Sequence, residues 1–284
     1  MPLPPPHALA FCVTLSRMLE SFDLQFARLP ACAEGLRIAH LSDTHIHRFR
    51  GYDATVEQLA NRRVNLILLT GDYMVRGGDP KPALDYLRYL TQQLHPRHGF
   101  AGVFGNHDEP TLREQARTLP IRWVGGDAIR LPDAGLELFG VDTPIGPASG
   151  GCDVTPAAMR LGAMLRSDAT QPPAEKLLRV ALCHLPSALP QVAELRPHWM
   201  LAGHTHGGQI RLPGKWTPLS FGFDCHHPAG VFRYRSTVMT VSRGLGQRPG
   251  LPRIHCPRQA PVYTLRRGPA MGVETQAITN VAKW

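Results

Sequence analysis

An α/β fold is predicted by three observations. Apolar runs alternate with stretches of helical spacing, the runs halt at Gly or Ser-Asp, and the residues just past each halt are Asp, His or Asn. Residues 36–41 read as a buried strand stopping at Ser42-Asp43, and residues 64–69 as a second stopping at Gly71-Asp72. Residues 54–63 between them have helical composition. Residues 80–94 place Leu84, Leu87, Leu90 and Leu94 on one helical face. A short strand at 102–104 then leads into Gly105-Asn106. Later strands are predicted at 136–141, 178–183 and 199–202, with helices at 156–166 and 187–195, and β-type alternation returns at 237–242 and 261–265. Residues 1–35, with Pro4, Pro5, Pro6 and Pro30, read as a lead-in, residues 36–267 as one domain, and residues 268–284 as a loosely ordered tail.

Composition narrows the class. Of 284 residues 43% are hydrophobic and 19% charged, which supports a sizeable core and excludes a disordered or fibrous chain. Lys and Arg outnumber Asp and Glu by 31 to 22, a net charge of +9 that favours anionic partners: phosphate esters, nucleic acid or an acidic membrane surface. The six cysteines (12, 32, 152, 183, 225 and 256) form no CxxC pair, so a reduced compartment is expected. No apolar run approaches the roughly 18 to 20 residues of a membrane span. The run at 8–15 lacks a basic flank, unlike a signal peptide, so the chain reads as cytoplasmic.

Five strand ends carry chemistry: Asp43-Thr44-His45, Gly71-Asp72, Gly105-Asn106-His107-Asp108, Cys183-His184 and Gly203-His204-Thr205-His206. Ligands of open α/β sheets bind beyond the carboxyl ends of the strands, so these residues are expected to meet in one crevice. Carboxylate, imidazole and carboxamide donors suit divalent transition ions. A donor set without cysteine argues against a structural zinc finger, and the many histidines argue against calcium.

These motifs, in this order, resemble the signatures of the calcineurin-like metallophosphoesterase superfamily over roughly residues 36–265. Gly207-Gly208-Gln209-Ile210 and Val241-Ser242-Arg243-Gly244-Leu245-Gly246 are most similar to its bacterial phosphodiesterase branch, many of whose members are membrane-associated. The resemblance implies a four-layer αββα sandwich with two mixed β-sheets. It implies that Asp43, His45 and His206 hold one metal, that Asn106, His184 and His204 hold the second, and that Asp72 bridges them. Two divalent ions roughly 3.5 to 4 Å apart need a shared anionic ligand, and neutral His and Asn donors leave the cluster positive. Mn²⁺, Fe²⁺/Fe³⁺ and Zn²⁺ all tolerate this donor set. His107 is implied to stabilise the transition state or protonate the departing oxygen, with Asp108 orienting its ring. Gly71, Gly105 and Gly203 are expected where the backbone leaves a strand with positive φ.

Blander readings stand beside these. Ordinary strand-end polar residues would show no correlated order. His107 read alone is a loop histidine, His40 a core residue or one behind a ligand, and His47, where relatives usually have Gly, a solvated side chain. Arg48, Arg50, Arg76 and Arg243 are candidate phosphate grips, Arg243 and Arg76 foremost, or else plain basic surface. Asp224-Cys225-His226-His227 matches no zinc spacing and reads as a rim loop. Phe221, Phe223, Phe232 and Tyr234 read equally as core or as an apolar channel.

The implied reaction is hydrolysis of a phosphodiester or pyrophosphate by in-line attack of hydroxide, from water whose pKa the cations lower. A phosphate-ester small molecule or a lipid-linked substrate is expected, including UDP-2,3-diacylglucosamine, with peripheral contact to an anionic inner membrane permitted by the charge. A nuclease or cyclic-nucleotide phosphodiesterase is the second enzymatic reading, disfavoured because no aromatic-and-basic stripe is evident. A binding scaffold is the non-enzymatic one, disfavoured because the motif set is complete.

Overall fold

The computed structural model describes residues 18–146, 153–167, 177–211, 227–248, 250–269 and 273–274. They build two sheets packed face to face with helices outside, the predicted αββα layering. The first sheet holds β1 (Leu19–Phe26), β2 (Arg37–Leu41), β3 (Leu66–Leu69), β4 (Phe100–Gly102), β5 (Arg122–Trp123) and β12 (Ala260–Arg267), in the order β1-β12-β2-β3-β4-β5. The second holds β6 (Ala128–Leu131), β7 (Leu136–Val141), β8 (Leu178–Cys183), β9 (Trp199–Ala202), β10 (Gly230–Tyr234), β11 (Thr237–Val241) and β13 (Val273–Glu274), in the order β13-β10-β11-β9-β8-β7-β6. Both are mixed: β2, β3, β4 and β5 run parallel while β12 opposes β2, and β7, β8, β9 and β11 run parallel while β6 opposes β7 and β10 opposes β11.

The continuous apolar runs are explained by burial on both strand faces. Side chains alternate across a sheet, so Leu66 and Leu68 enter the core between the sheets, while Ile67 and Leu69 pack under α1 (Ala54–Ala60), α2 (Lys81–Gln93) and α3 (Pro110–Ala116). In the second sheet Val180 and Leu182 face inward, and Ala181 and Cys183 face α4 (Thr155–Ser167) and α5 (Leu189–Ala193). Asp53 starts α1 by accepting from Thr55 N and Val56 N at 2.8 and 3.1 Å. On α2, Leu84, Leu87 and Leu90 are buried as their spacing predicts.

Two boundaries need correction. Residues 19–26 lie in the stretch read as a lead-in, yet they form β1, which pairs in parallel with β12 from Leu19 opposite Ala260 to Phe26 opposite Arg267. Phe22, Leu24 and Phe26 alternate with polar residues there, a period-two signal outweighed by the prolines before it. Within the stretch read as a tail, Val273–Glu274 pairs with β10. Asp224, Cys225, His226, Phe221 and Phe223 lie outside the described residues. Phe232 is buried beside α5 and edge-on to His227, and Tyr234 packs against the same cluster, so both are core.

Candidate metal centre

The five motifs follow β2, β3 and β4 of one sheet and β8 and β9 of the other. Parallel neighbours end level with each other, so all five turns open on the same edge of the sandwich. The turns are laced together: Asp43 N donates to Gly71 O (2.9 Å), His45 N to Asp72 O (3.0 Å), Gly203 N to His184 O (3.0 Å), and His204 N to both carboxylate oxygens of Asp43 (2.9 and 3.0 Å).

The sharp bends are carried mostly by the functional residues themselves. Asp43, His45, Asp72, His204 and His206 have φ of 52°, 43°, 57°, 70° and 51°, a region that non-glycine residues seldom occupy outside functional sites. Of the three glycines expected there, only Gly71 has positive φ, 93°. Gly105 and Gly203 are required for close approach instead: a Cβ at Gly105 would lie 2.1 Å from Asp72 Oδ1, and one at Gly203 1.9 Å from Ser42 Oγ.

The seven predicted side chains meet, none more than 5% exposed. Ligand atoms of Asp43, His45 and His206 form one group and those of Asp72, His184 and His204 another, each within 4.8 Å. Asp72 Oδ2 lies between the groups, 3.6 Å from His45 Nε2 and 3.2 Å from His184 Nε2. Asn106 donates its amide to Gly146 O (3.0 Å), which turns its Oδ1 inward to 3.1 Å from His204 Nδ1.

These donors fit divalent cations. His45 Nδ1 faces Met74 O (3.1 Å) and His184 Nδ1 faces Thr70 O (2.6 Å), so each ring gives its proton to a carbonyl and presents a bare Nε2 inward. The bare nitrogen of His45 stands 3.0 Å from His206 Nε2, and that of His184 stands 3.2 Å from His204 Nδ1. Converging lone pairs beside two carboxylates repel unless a cation lies among them. Burial opposes charge on every member. It pushes Asp43 up to about 6, with Asp72 adding to the rise, and His45 down to about 4. At His184 burial is outweighed by Asp72 and Asp43, which push it up to about 9.

A family model described as Calcineurin-like phosphoesterase matches residues 36–208, more than half the chain. The chain belongs to the calcineurin-like phosphoesterase family. It is 28% identical over 224 residues to "Uncharacterized metallophosphoesterase YkoQ" of Bacillus subtilis (strain 168), covering 77% of this chain and 79% of that protein. It is also 28% identical over 233 residues to "Phosphodiesterase YaeI" of Escherichia coli (strain K12), covering 79% and 80%. Among solved structures, TT1561 of Thermus thermophilus shares the fold with a TM-score of 0.50 at 13% identity, over 75% of this chain and 89% of that one. The protein is therefore a metal-dependent hydrolase with the phosphoesterase fold and a dinuclear ligand set.

For a calcineurin-like phosphoesterase, two predicted roles change. Asp108 does not orient His107: its carboxylate accepts from Gly105 N (2.7 Å), Asp72 N (2.8 Å) and Tyr73 N (2.7 Å), pinning the turn that carries Asp72. His107 is instead held by the Arg76 backbone N–H, which donates to its Nδ1 at 3.4 Å. That contact leaves the ring proton on Nε2, which faces the cluster 4.0 Å from Asp72 Oδ2. Arg243 is not a phosphate grip. It is buried, paired with Glu20, and donates through Nε to Pro257 O at 2.9 Å, so it clasps β1 to the loop beside the site. Arg76 is exposed next to His107, as are Arg48, Arg50 and His47 elsewhere on the surface.

Sequence reasoning missed three supports. Arg253 donates to Arg243 O (2.7 Å) and Gly246 O (2.6 Å), and its Nη2 stands 3.3 Å from His206 Nδ1. No sequence pattern marks it. Arg248, exposed at the rim, joins Arg76 in depressing the pKa of His107, where burial is the main cause. Gly246 admits Thr44, whose carbonyl oxygen would lie 2.3 Å from an added Cβ; the quoted Ser-Arg-Gly-Leu-Gly run was the signal for that approach.

Proposed function

We propose that this chain hydrolyses a phosphodiester or pyrophosphate at a dinuclear centre held by Asp43, His45 and His206 on one side, Asn106, His184 and His204 on the other, and Asp72 between. The observation that carries the reading is the inward convergence of bare imidazole nitrogens around Asp72 Oδ2. When bound, two divalent cations supply Lewis acidity toward a phosphoryl oxygen and lower the pKa of water. Mn²⁺, Fe and Zn²⁺ suit the nitrogen and oxygen donors.

The chain's own groups do the rest. His107 Nε2–H, at the partly exposed mouth, donates a hydrogen bond to a phosphoryl oxygen and stabilises the charge that develops as the ester bond breaks; burial keeps the ring neutral, with its one proton on Nε2. Arg76 and Arg248, exposed beside it, steer and hold the anionic ester. Diester cleavage is placed above monoester cleavage because a relative over four-fifths of its own length carries the name phosphodiesterase. Among the described residues no helix is long and apolar enough to cross a membrane.

Metal content and hydrolysis of a chromogenic diester, against the matching monoester, test the proposal. The parent chain is expected to hold about two metals, His107→Ala to keep them while losing roughly 10²- to 10⁴-fold in rate, and Asp72→Asn to lose nearly all activity. Equal diester rates in the parent and Asp72→Asn defeat it.

A further inference from the structure

Behind the ligands runs a line of buried polar side chains that the reaction does not use. His40, on β2, is wholly buried, and its Nε2 lies 2.7 Å from Thr70 Oγ1. Thr70 Oγ1 donates to Ser42 Oγ at 2.8 Å, and Ser42 Oγ donates to Asp43 Oδ2 at 2.5 Å, the short distance of a charge-assisted bond. The carboxylate fixes the direction of the whole line. It only accepts, so the single Ser42 hydrogen goes to Asp43 and Ser42 must accept from Thr70. Thr70, having given its hydrogen to Ser42, must accept from His40. His40 therefore carries its proton on Nε2. Its Nδ1 is buried with no hydrogen-bond partner, so a second proton there would be an uncompensated buried charge and the ring stays neutral.

Thr70 has a second task. Its carbonyl oxygen accepts from His184 Nδ1 at 2.6 Å, which turns His184 Nε2 toward Asp72. One residue past β3 thus reaches a ligand of the first metal group through its side chain, by way of Ser42, and touches a ligand of the second through its backbone. Three hydrogen bonds all pointing toward one carboxylate polarise each other, which raises the strength of the last.

We propose that His40 is a positioning residue for the metal centre: acting through Thr70 and Ser42, it fixes the Asp43 carboxylate for its cation, and Thr70 ties that setting to His184. The proposal rests on the dinuclear reading above and adds residues outside its ligand set.

The test is Mn²⁺ affinity of the metal-free full chain, measured by calorimetry. His40→Leu, Thr70→Val and Ser42→Ala are each expected to raise a Mn²⁺ Kd by roughly 10- to 100-fold, whereas His40→Gln, whose amide N–H replaces the ring N–H, stays within about threefold of the parent. Because the line is serial, adding His40→Leu or Thr70→Val to Ser42→Ala costs nothing further. A purely packing role predicts the reverse: Leu suits an apolar core, Gln gives no rescue, and paired losses multiply. If His40→Leu does not fold, the Thr70→Val and Ser42→Ala pair decides by the same rule. A parent that binds two Mn²⁺ while His40→Leu binds them as tightly overturns this proposal alone. A parent that binds none overturns the metal centre itself.

Discussion

His107 and Asp108 are adjacent, yet they work on different parts of the site. His107 faces the mouth and is set by a backbone N–H of Arg76, whereas Asp108 faces inward and gathers four backbone donors, Met74 N the fourth, around the turn of Asp72. Asp108→Asn should therefore weaken metal retention, by roughly 10- to 100-fold in Kd, as expected when a group supporting a ligand is changed. Because Arg76 N–H, and not Asp108, sets the ring of His107, the pH profile should keep its position. Metal analysis and a kcat/KM profile on one preparation check both halves. At His40 the predicted pH effect is on stability. Burial, with His184 adding, pushes His40 down to about 3 from 6.5. The folded chain thus resists a proton that the unfolded chain accepts, so this contribution is complete above pH 6.5 and is lost as pH falls below it. Urea midpoints of the metal-free chain between pH 8 and 5 should fall less steeply for His40→Gln than for the parent.

Among the elements, β1 shows where local pattern and tertiary placement part. Its alternation of Phe22, Leu24 and Phe26 is readable, but its partner is at the other end of the chain, and no local rule names β12. The strands that carry the ligands were legible because burial on both faces makes them continuously apolar and a motif marks each end. Elements β6, β10 and α3 escaped notice, being short or opening on Pro. Within the site the ligand identities were legible from order and spacing. The support roles were not, because Asp108, Arg243 and Arg253 act through backbone groups that carry no side-chain signature. Arg243 gives a test at this scale. Replacing it by Met leaves Glu20 without its cation at the β1 edge and is expected to cost about 2 kcal/mol, the scale of a hydrogen bond to a charged group. KM for the diester should be unchanged. Denaturant unfolding and steady-state kinetics separate this from a phosphate grip, which would raise KM and leave stability alone.

The metal groups span the whole sandwich. Asp43, His45, Asp72 and Asn106 come from the first sheet, and His184, His204 and His206 from the second, so cations held between them bind only when the sheets are docked. Any ligand confined to the native state stabilises it by mass action. Chelation should lower Tm, and added Mn²⁺ should restore it and raise it further with concentration. In Asp72→Asn the Mn²⁺ response should shrink. Differential scanning calorimetry across a Mn²⁺ series measures this, and a Tm indifferent to Mn²⁺ in the parent would place the cations, if any, outside the docked interface.

The pairing of β1 with β12 also governs the order in which a growing polypeptide can finish. Leu19 lies opposite Ala260, and Glu20 meets Arg243 and Gln259, so the outer strand of the first sheet must wait for the last tenth of the chain to emerge. Until then a nascent chain exposes the edge of β2 that β12 later covers, an open template for wrong partners. Such a chain depends on holding factors during translation more than one whose early strands pair with each other.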